Sequence, residues 1–218
     1  MDITPYCGIV FDLDGTLLDT LADIADSTNR VLRRHGFAPH PLDAYRYFVG
    51  DGMRMLAERA LPADRRTPEL IDEVFRAVHA EYDRHWADIT RPYDGVPELL
   101  DGLRERGIEM SVLSNKPEEF TVMMVRHYFP GVPFKRVYGA GAGIPRKPDP
   151  AGALRIAAES GLDPSLFMYL GDTMVDMKTA VAAGMFPIGA LWGFREEAEL
   201  REGGAKLLVA HPGDILDA

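Results

Sequence analysis

Cys7-Gly8-Ile9-Val10-Phe11-Asp12-Leu13-Asp14-Gly15-Thr16 is the stretch on which the fold turns. Its first half is a short apolar run with β-branched residues, the mark of a strand buried on both faces in a parallel sheet. The run stops abruptly at two aspartates, and Gly15 permits a sharp turn directly after them. Cys7 opens the run and reads as a buried, inert thiol.

Outward from this strand the rhythm is helical first and alternating afterwards. From Asp19 to about Trp86 apolar residues recur at helical spacing, as in Leu21, Ile24, Ala25, Val31 and Leu32, and again in Ile71, Val74, Phe75, Val78 and Tyr82. Phe48-Val49-Gly50-Asp51-Gly52-Met53-Arg54 breaks this run, and no convincing strand lies within it. Beyond Arg91-Pro92-Tyr93-Asp94-Gly95 the pattern becomes helix, strand (Glu109–Ser114), helix (Glu118–Tyr128), strand (Arg136–Gly139) and helix (Ala151–Ser160). It continues as strand (Phe167–Leu170), helix (Val175–Ala183) and two short apolar segments. Strands alternating with helices give βαβ units. The expected architecture is therefore α/β, a Rossmann-like parallel sheet core (residues 1–16 and 91–218) with an inserted all-helical domain (residues 17–90).

In such sheets ligands bind beyond the carboxyl ends of the strands, so the residues found there decide the function. They are Asp12 and Asp14, then Ser114-Asn115-Lys116, then Gly171-Asp172-Thr173 with Asp176 one helical turn on. Lys147 sits in a loop before a helix that Asp149 and Pro150 would start. Asp12, Asp14 and Asp172 side by side cannot all ionise without compensation. A divalent cation supplies it, and an all-oxygen set without histidine or cysteine favours Mg²⁺. Ser114 offers a hydroxyl, Asn115 a backbone N–H at a helix start and Lys147 a point charge, the groups that suit a phosphoryl oxygen. Beside a metal-bound phosphoryl group Asp12 can attack phosphorus, and Asp14, two residues on, can protonate the departing oxygen. Gly139-Ala140-Gly141-Ala142-Gly143 lacks a dinucleotide-site context and reads as a loop that lets Lys147 reach inward.

These motifs resemble those of the haloacid dehalogenase-like phosphatases. The likeness rests on Asp12-Leu-Asp14-Gly15-Thr16, Ser114-Asn115-Lys116, Lys147-Pro-Asp-Pro150 and Gly171-Asp172-Thr173-Met-Val-Asp176, and covers nearly the whole chain. It implies a core with a helical cap, Asp12 as nucleophile and Asp14 as acid/base. It further implies Mg²⁺ on Asp12, the Asp14 carbonyl and Asp172, with Asp176 behind them and Thr16 supporting the first loop. Phe48–Gly52, Arg91–Val96 and Gly184-Met185 resemble the phosphoglycolate phosphatase branch, which implies 2-phosphoglycolate as substrate. Gly50, Asp51, Gly52 and Arg54 are then expected to contact substrate, Arg54 as a fork for a carboxylate.

Rivals differ in what they need. A dehalogenase has no use for Asp14, and a phosphonatase needs a cap lysine, whereas all five lysines lie between Lys116 and Lys206. Pyrophosphatase, nucleotide or sugar phosphatase and phosphomutase activities share the same core. A phospho-acceptor regulatory module is the non-enzymatic alternative. With 24 basic against 34 acidic residues, net −10, and no basic patch, nucleic acid is an unexpected partner. No run of ~18 uncharged apolar residues predicts a membrane span, and Met1–Val10 does not read as a secretory signal. One cysteine suits a reducing cytoplasm. The expected partner is a small phosphorylated metabolite, and the expected state a monomer or homodimer.

Overall fold

The computed structural model describes residues 3–141 and 143–217. In chain order its elements are β1 (Gly8–Phe11), β2 (Leu18–Asp19), α1 (Leu21–Arg34), α2 (Leu42–Phe48), α3 (Met53–Ala60), α4 (Pro68–His85), β3 (Arg91–Pro92), α5 (Val96–Glu105) and β4 (Glu109–Pro117). There follow α6 (Glu118–Tyr128), β5 (Arg136–Ala140), α7 (Ala151–Ser160), β6 (Phe167–Gly171), α8 (Met174–Ala183), β7 (Phe186–Ala190), α9 (Glu197–Gly203) and β8 (Leu207–Val209). The chain divides into two compact units, Met1–Leu18 with Pro92–Ala218, and Asp19–Arg91.

The first unit is built on a six-stranded sheet in the order β5-β4-β1-β6-β7-β8, parallel throughout. Ile9, Val10 and Phe11 are all fully buried, as are Phe167, Met168 and Tyr169 of β6. Runs buried without alternation belong to strands covered on both faces. Val10 and Tyr169 join Ala153, Ile156 and Ala157 of α7 and Ala180 of α8 in one apolar cluster. Leu99, Leu100 and Leu103 of α5 are likewise buried. β1 lies between β4 and β6, so the strand order runs outward from it in both directions. That is the topological switch point at which open α/β sheets bind ligands. Phe11 pairs with Val112 on one side and Leu170 on the other. Asp12, Ser114 and Asp172 therefore follow within two residues of a common level.

Several expectations need correction here. β4 does not stop at Ser114 but continues to Pro117, while α6 starts at Glu118 as the spacing predicts. Asn115 is thus inside a strand rather than at a helix start. Gly139 lies in β5 as the expected strand has it, but Ala140 belongs to β5 as well and not to a loop; Ala142 lies outside the described residues. Cys7 precedes β1 and is exposed, because the buried run begins one residue later, at Gly8. α7 starts after Pro150, with Asp149 Oδ1 accepting from Ala151 N at 2.9 Å.

The Asp19–Arg91 unit is helical apart from the paired ends of β2 and β3. α1 and α3 pack on α4, whose buried residues Ile71, Val74, Val78 and Tyr82 form one stripe. Thr67 caps α4 through Leu70 N, and Pro68 occupies its first turn. Asp23 accepts from Ile89 N, Thr90 N and Thr90 Oγ1, tying the start of α1 to the end of the unit. Asn29 exchanges two backbone hydrogen bonds with His40 and accepts from the Tyr45 hydroxyl at 2.7 Å. Replacing Asn29 by Ala leaves these groups unpartnered, each at a cost of ~1–3 kcal/mol. Asn29→Ala is therefore expected to lower the urea midpoint of the helical unit, read by far-ultraviolet circular dichroism.

Candidate active site

Asp12 leaves the end of β1, with its backbone N donating to Leu170 O at 3.0 Å. Its carboxylate accepts from Leu13 N at 2.7 Å and meets the Lys147 ammonium at 2.9 Å. Lys147 reaches past Asp12 to Asp176 at 2.6 Å, so one ammonium bridges two carboxylates. The Lys147 backbone is fixed by the side chain of Asn115, which accepts from Lys147 N at 2.9 Å and donates to Lys147 O at 3.0 Å. Ser114, also buried, accepts from Lys116 N at 3.3 Å.

Asp172 follows β6 and is fully buried. Oδ1 accepts from the Thr16 hydroxyl at 2.9 Å and Oδ2 from Phe194 N at 2.8 Å. Its seat exists because neither neighbour carries a Cβ. A methyl on Gly15, which sits at φ +84°, would lie 2.3 Å from Asp172 Oδ2, and one on Gly193 2.2 Å from Asp172 Cβ. Trp192 Nε1 donates to Thr16 O at 3.0 Å and holds the first loop from outside. Asp176 closes a capping box on α8, accepting from Thr173 N and Oγ1 at 3.1 and 2.7 Å.

Asp12, Asp172 and Asp176 each offer an oxygen within 4.8 Å of the others. Asp176 thus joins the group directly, although the motif resemblance put it behind Asp12 and Asp172. Asp14 is not part of that group, and its carboxylate pairs with Lys116. Three carboxylates against one ammonium leave two negative charges when all are ionised. Burial pushes the Asp12 carboxyl up to about 7, with the Lys147 ammonium lowering it and the Asp176 charge raising it again. Burial also pushes Asp172 well above the usual carboxylate range, reinforced by Asp176 and Asp12. Burial acts to lower Lys147, but Asp12 and Asp176 outweigh it and hold the ammonium firmly protonated. Burial keeps the Tyr169 phenol neutral, so it adds no charge. The residues present fit a hard divalent cation, since the donors are all oxygen and the uncompensated charge is what such an ion neutralises.

In the helical unit Asp51 pairs with Arg59, whose guanidinium also donates to Tyr47 O and Phe48 O at 3.3 and 3.2 Å. Gly50 and Gly52 flank it at φ +114° and +91°. Arg54 pairs with Asp72 at 2.9 Å. Arg59 and Asp72 belong to no motif, and Lys116 enters only as the third letter of one.

The family described as haloacid dehalogenase-like hydrolase matches residues 9–190. A phosphoglycolate phosphatase of Pseudomonas putida is 33% identical over 189 residues, 85% of this chain and 70% of that protein. An N-acetylmuramic acid 6-phosphate phosphatase of Pseudomonas aeruginosa is 31% identical, covering 96% and 92%. Among solved structures, a predicted phosphoglycolate phosphatase from Haemophilus somnus superposes with TM-score 0.92 at 25% identity, covering 99% of each chain.

A carboxyl with a higher pKa in the folded chain holds its proton more tightly there than when unfolded. Without metal, Asp12 therefore costs no stability well below its unfolded value of about 4. The cost grows as pH rises and is complete above about 7. Relative to Asp12→Asn, the metal-free protein is expected to lose melting temperature between about pH 5 and pH 8. Added Mg²⁺ is expected to restore more of it at the higher pH, because binding releases those protons. Differential scanning calorimetry at both pH values reads both effects.

Proposed function

Since the chain belongs to the haloacid dehalogenase-like hydrolase family and is a phosphatase, we propose that it is a Mg²⁺-dependent phosphomonoesterase working through an aspartyl-phosphate, with 2-phosphoglycolate as substrate. The observation that carries the mechanism is the buried carboxylate of Asp12 at the end of the central strand, 2.9 Å from the Lys147 ammonium and within the group formed with Asp172 and Asp176. Asp12, Asp172 and Asp176 with the Asp14 carbonyl are the candidates to hold the ion. When bound, the ion offsets the carboxylate charge and polarises a phosphoryl oxygen.

The remaining chemistry belongs to the chain. Asp12 attacks phosphorus through a carboxylate oxygen, and the ester P–O bond breaks as the new one forms. Asp14 gives a proton to the departing oxygen, then takes one from the water that cleaves the aspartyl-phosphate at phosphorus. Lys147 faces the phosphoryl oxygens with a charge fixed in place by Asn115, and Ser114 adds a hydroxyl. The preference for 2-phosphoglycolate is supported by the branch likeness at Phe48–Gly52 and Arg91–Val96 and by relatives of that name. In this reading the Asp19–Arg91 unit is a cap, and Gly50, Asp51, Gly52 and Arg54 select the leaving group. A sugar phosphate is the second reading, favoured by the muramic acid phosphate phosphatase that matches 96% of the chain. The setting proposed is cytoplasmic, as a monomer or homodimer; no described helix is long and apolar enough to cross a membrane.

A panel of phosphate esters assayed with Mg²⁺ should put 2-phosphoglycolate at the top in kcat/KM. A sugar 6-phosphate at the top would install the second reading. EDTA should abolish turnover and Mg²⁺ restore it. Asp12→Asn should be inactive, and Asp14→Asn should lose ~10²–10⁴ in rate on an alkyl phosphate, measured by phosphate release.

A further inference from the structure

Lys116 is an expensive residue where it stands. Only 3% of its side chain is exposed, and a buried ammonium is tolerated only when paired. Its Nζ lies 2.9 Å from Asp14 Oδ1 and 3.2 Å from Oδ2, so both oxygens of one carboxylate face one charge. That grip fixes the plane of the carboxylate as well as its position. Asp14 itself is 19% exposed at the side chain, and without the ammonium nothing described in its contacts would keep it from turning to solvent.

The backbone delivers Lys116 to this place deliberately. β4 and β5 are in register at Leu113 with Tyr138 and again at Pro117 with Ala140, so four steps on one strand face two on the other. Such an irregularity takes side chains out of the regular alternation and re-aims them. Ser114, Asn115 and Lys116 fall within it, and all three are buried. The displaced segment is then pinned. Lys116 O accepts from the Thr121 hydroxyl at 3.2 Å. Gly139 of β5 lets the two strands close up, because a Cβ there would lie 2.7 Å from Lys116 O and 2.6 Å from Glu118 Cα. Gly139 N also donates to the Glu118 carboxylate.

We propose that Lys116 is the positioning residue for Asp14, holding its carboxylate in the orientation from which it exchanges a proton with the ester oxygen. The proposal rests on the reading of Asp14 as acid/base. Lys116 then acts on proton transfer and not on the phosphoryl group, which is left to Lys147, Asn115 and Ser114. Its loss should be felt in proportion to how much the leaving oxygen needs a proton.

The test compares an alkyl phosphate with p-nitrophenyl phosphate, whose leaving group departs without a proton, in Mg²⁺-loaded enzyme. The quantity read is kcat/KM, which covers the steps up to ester cleavage. Lys116→Met should lose ~10–100-fold on the alkyl ester and less than ~3-fold on the aryl ester. Asp14→Asn should show the same split more deeply, and adding Lys116→Met to it should cost nothing further. Lys116→Arg should recover the alkyl ester. Lys116→Gln keeps a donor without the charge; it should show the split to a smaller extent, and it serves if the Met variant does not fold. Equal losses on both esters for Lys116→Met, with Asp14→Asn still selective, would overturn the proposal and make Lys116 a phosphoryl-binding group. Equal losses for Asp14→Asn itself would instead remove the acid role, and the Lys116 proposal with it.

Discussion

One ammonium between two buried carboxylates organises the rim of this sheet. Lys147 touches Asp12 and Asp176 at once, with Asp172 beside them. In a place nearly closed to water such charges interact strongly, and leaving any of them unanswered is costly. The loops around the rim follow from that constraint. Asn115 fixes the lysine backbone from β4, Thr16 and Phe194 N engage Asp172, and Thr173 engages Asp176. Burial pushes Asp12 and Asp172 toward their protonated forms, and the neighbouring carboxylate charges add to that push. Three such carboxylates beside one ammonium fit a divalent cation.

Topology makes this convergence inexpensive. β1 is the central strand, and the chain leaves it for β4 on one side and β6 on the other. Three loops therefore open at one edge with their residues already near a common level. The glycines at 15 and 193 allow the loops to close on Asp172 without displacing it. Rigid strands fix the positions, so little ordering is left to be done when a substrate arrives.

Much of this was legible from the chain. The run Gly8–Phe11 showed its burial through unbroken apolar character, and the helices through spacing, because both depend on local pattern. Asp12 and Asp172 stand out because polar residues directly after apolar strands have few other reasons to be there, and Lys147 stands out only in combination with them. What escaped depended on relations between distant segments. The register jump between β4 and β5 has no local signature, so the sequence suggests a helix start at Asn115 and no task for Lys116. Asp176 looked one turn removed from the carboxylates, yet Gly171 lets it pack directly beneath them, a Cβ there lying 2.3 Å from Asp176 Cβ. Asp72, which pairs with Arg54, sits on another helix, and only the packing of α3 on α4 reveals it. Cys7 reads as part of the buried run because an apolar residue leads smoothly into one, and its backbone does bond to Leu166 O and Glu109 N on either side, yet its side chain is exposed.

The central claim is that Asp12 forms a covalent bond to phosphorus. Rapid acid quench of the Mg²⁺-loaded enzyme with ³²P-labelled phosphate ester, followed by peptide mapping, tests it most directly. The account predicts transient label on the peptide containing Asp12, formed no more slowly than phosphate is released and absent from Asp12→Asn. Phosphate released in the first turnover with no labelled protein, or with label on a different residue, would contradict it.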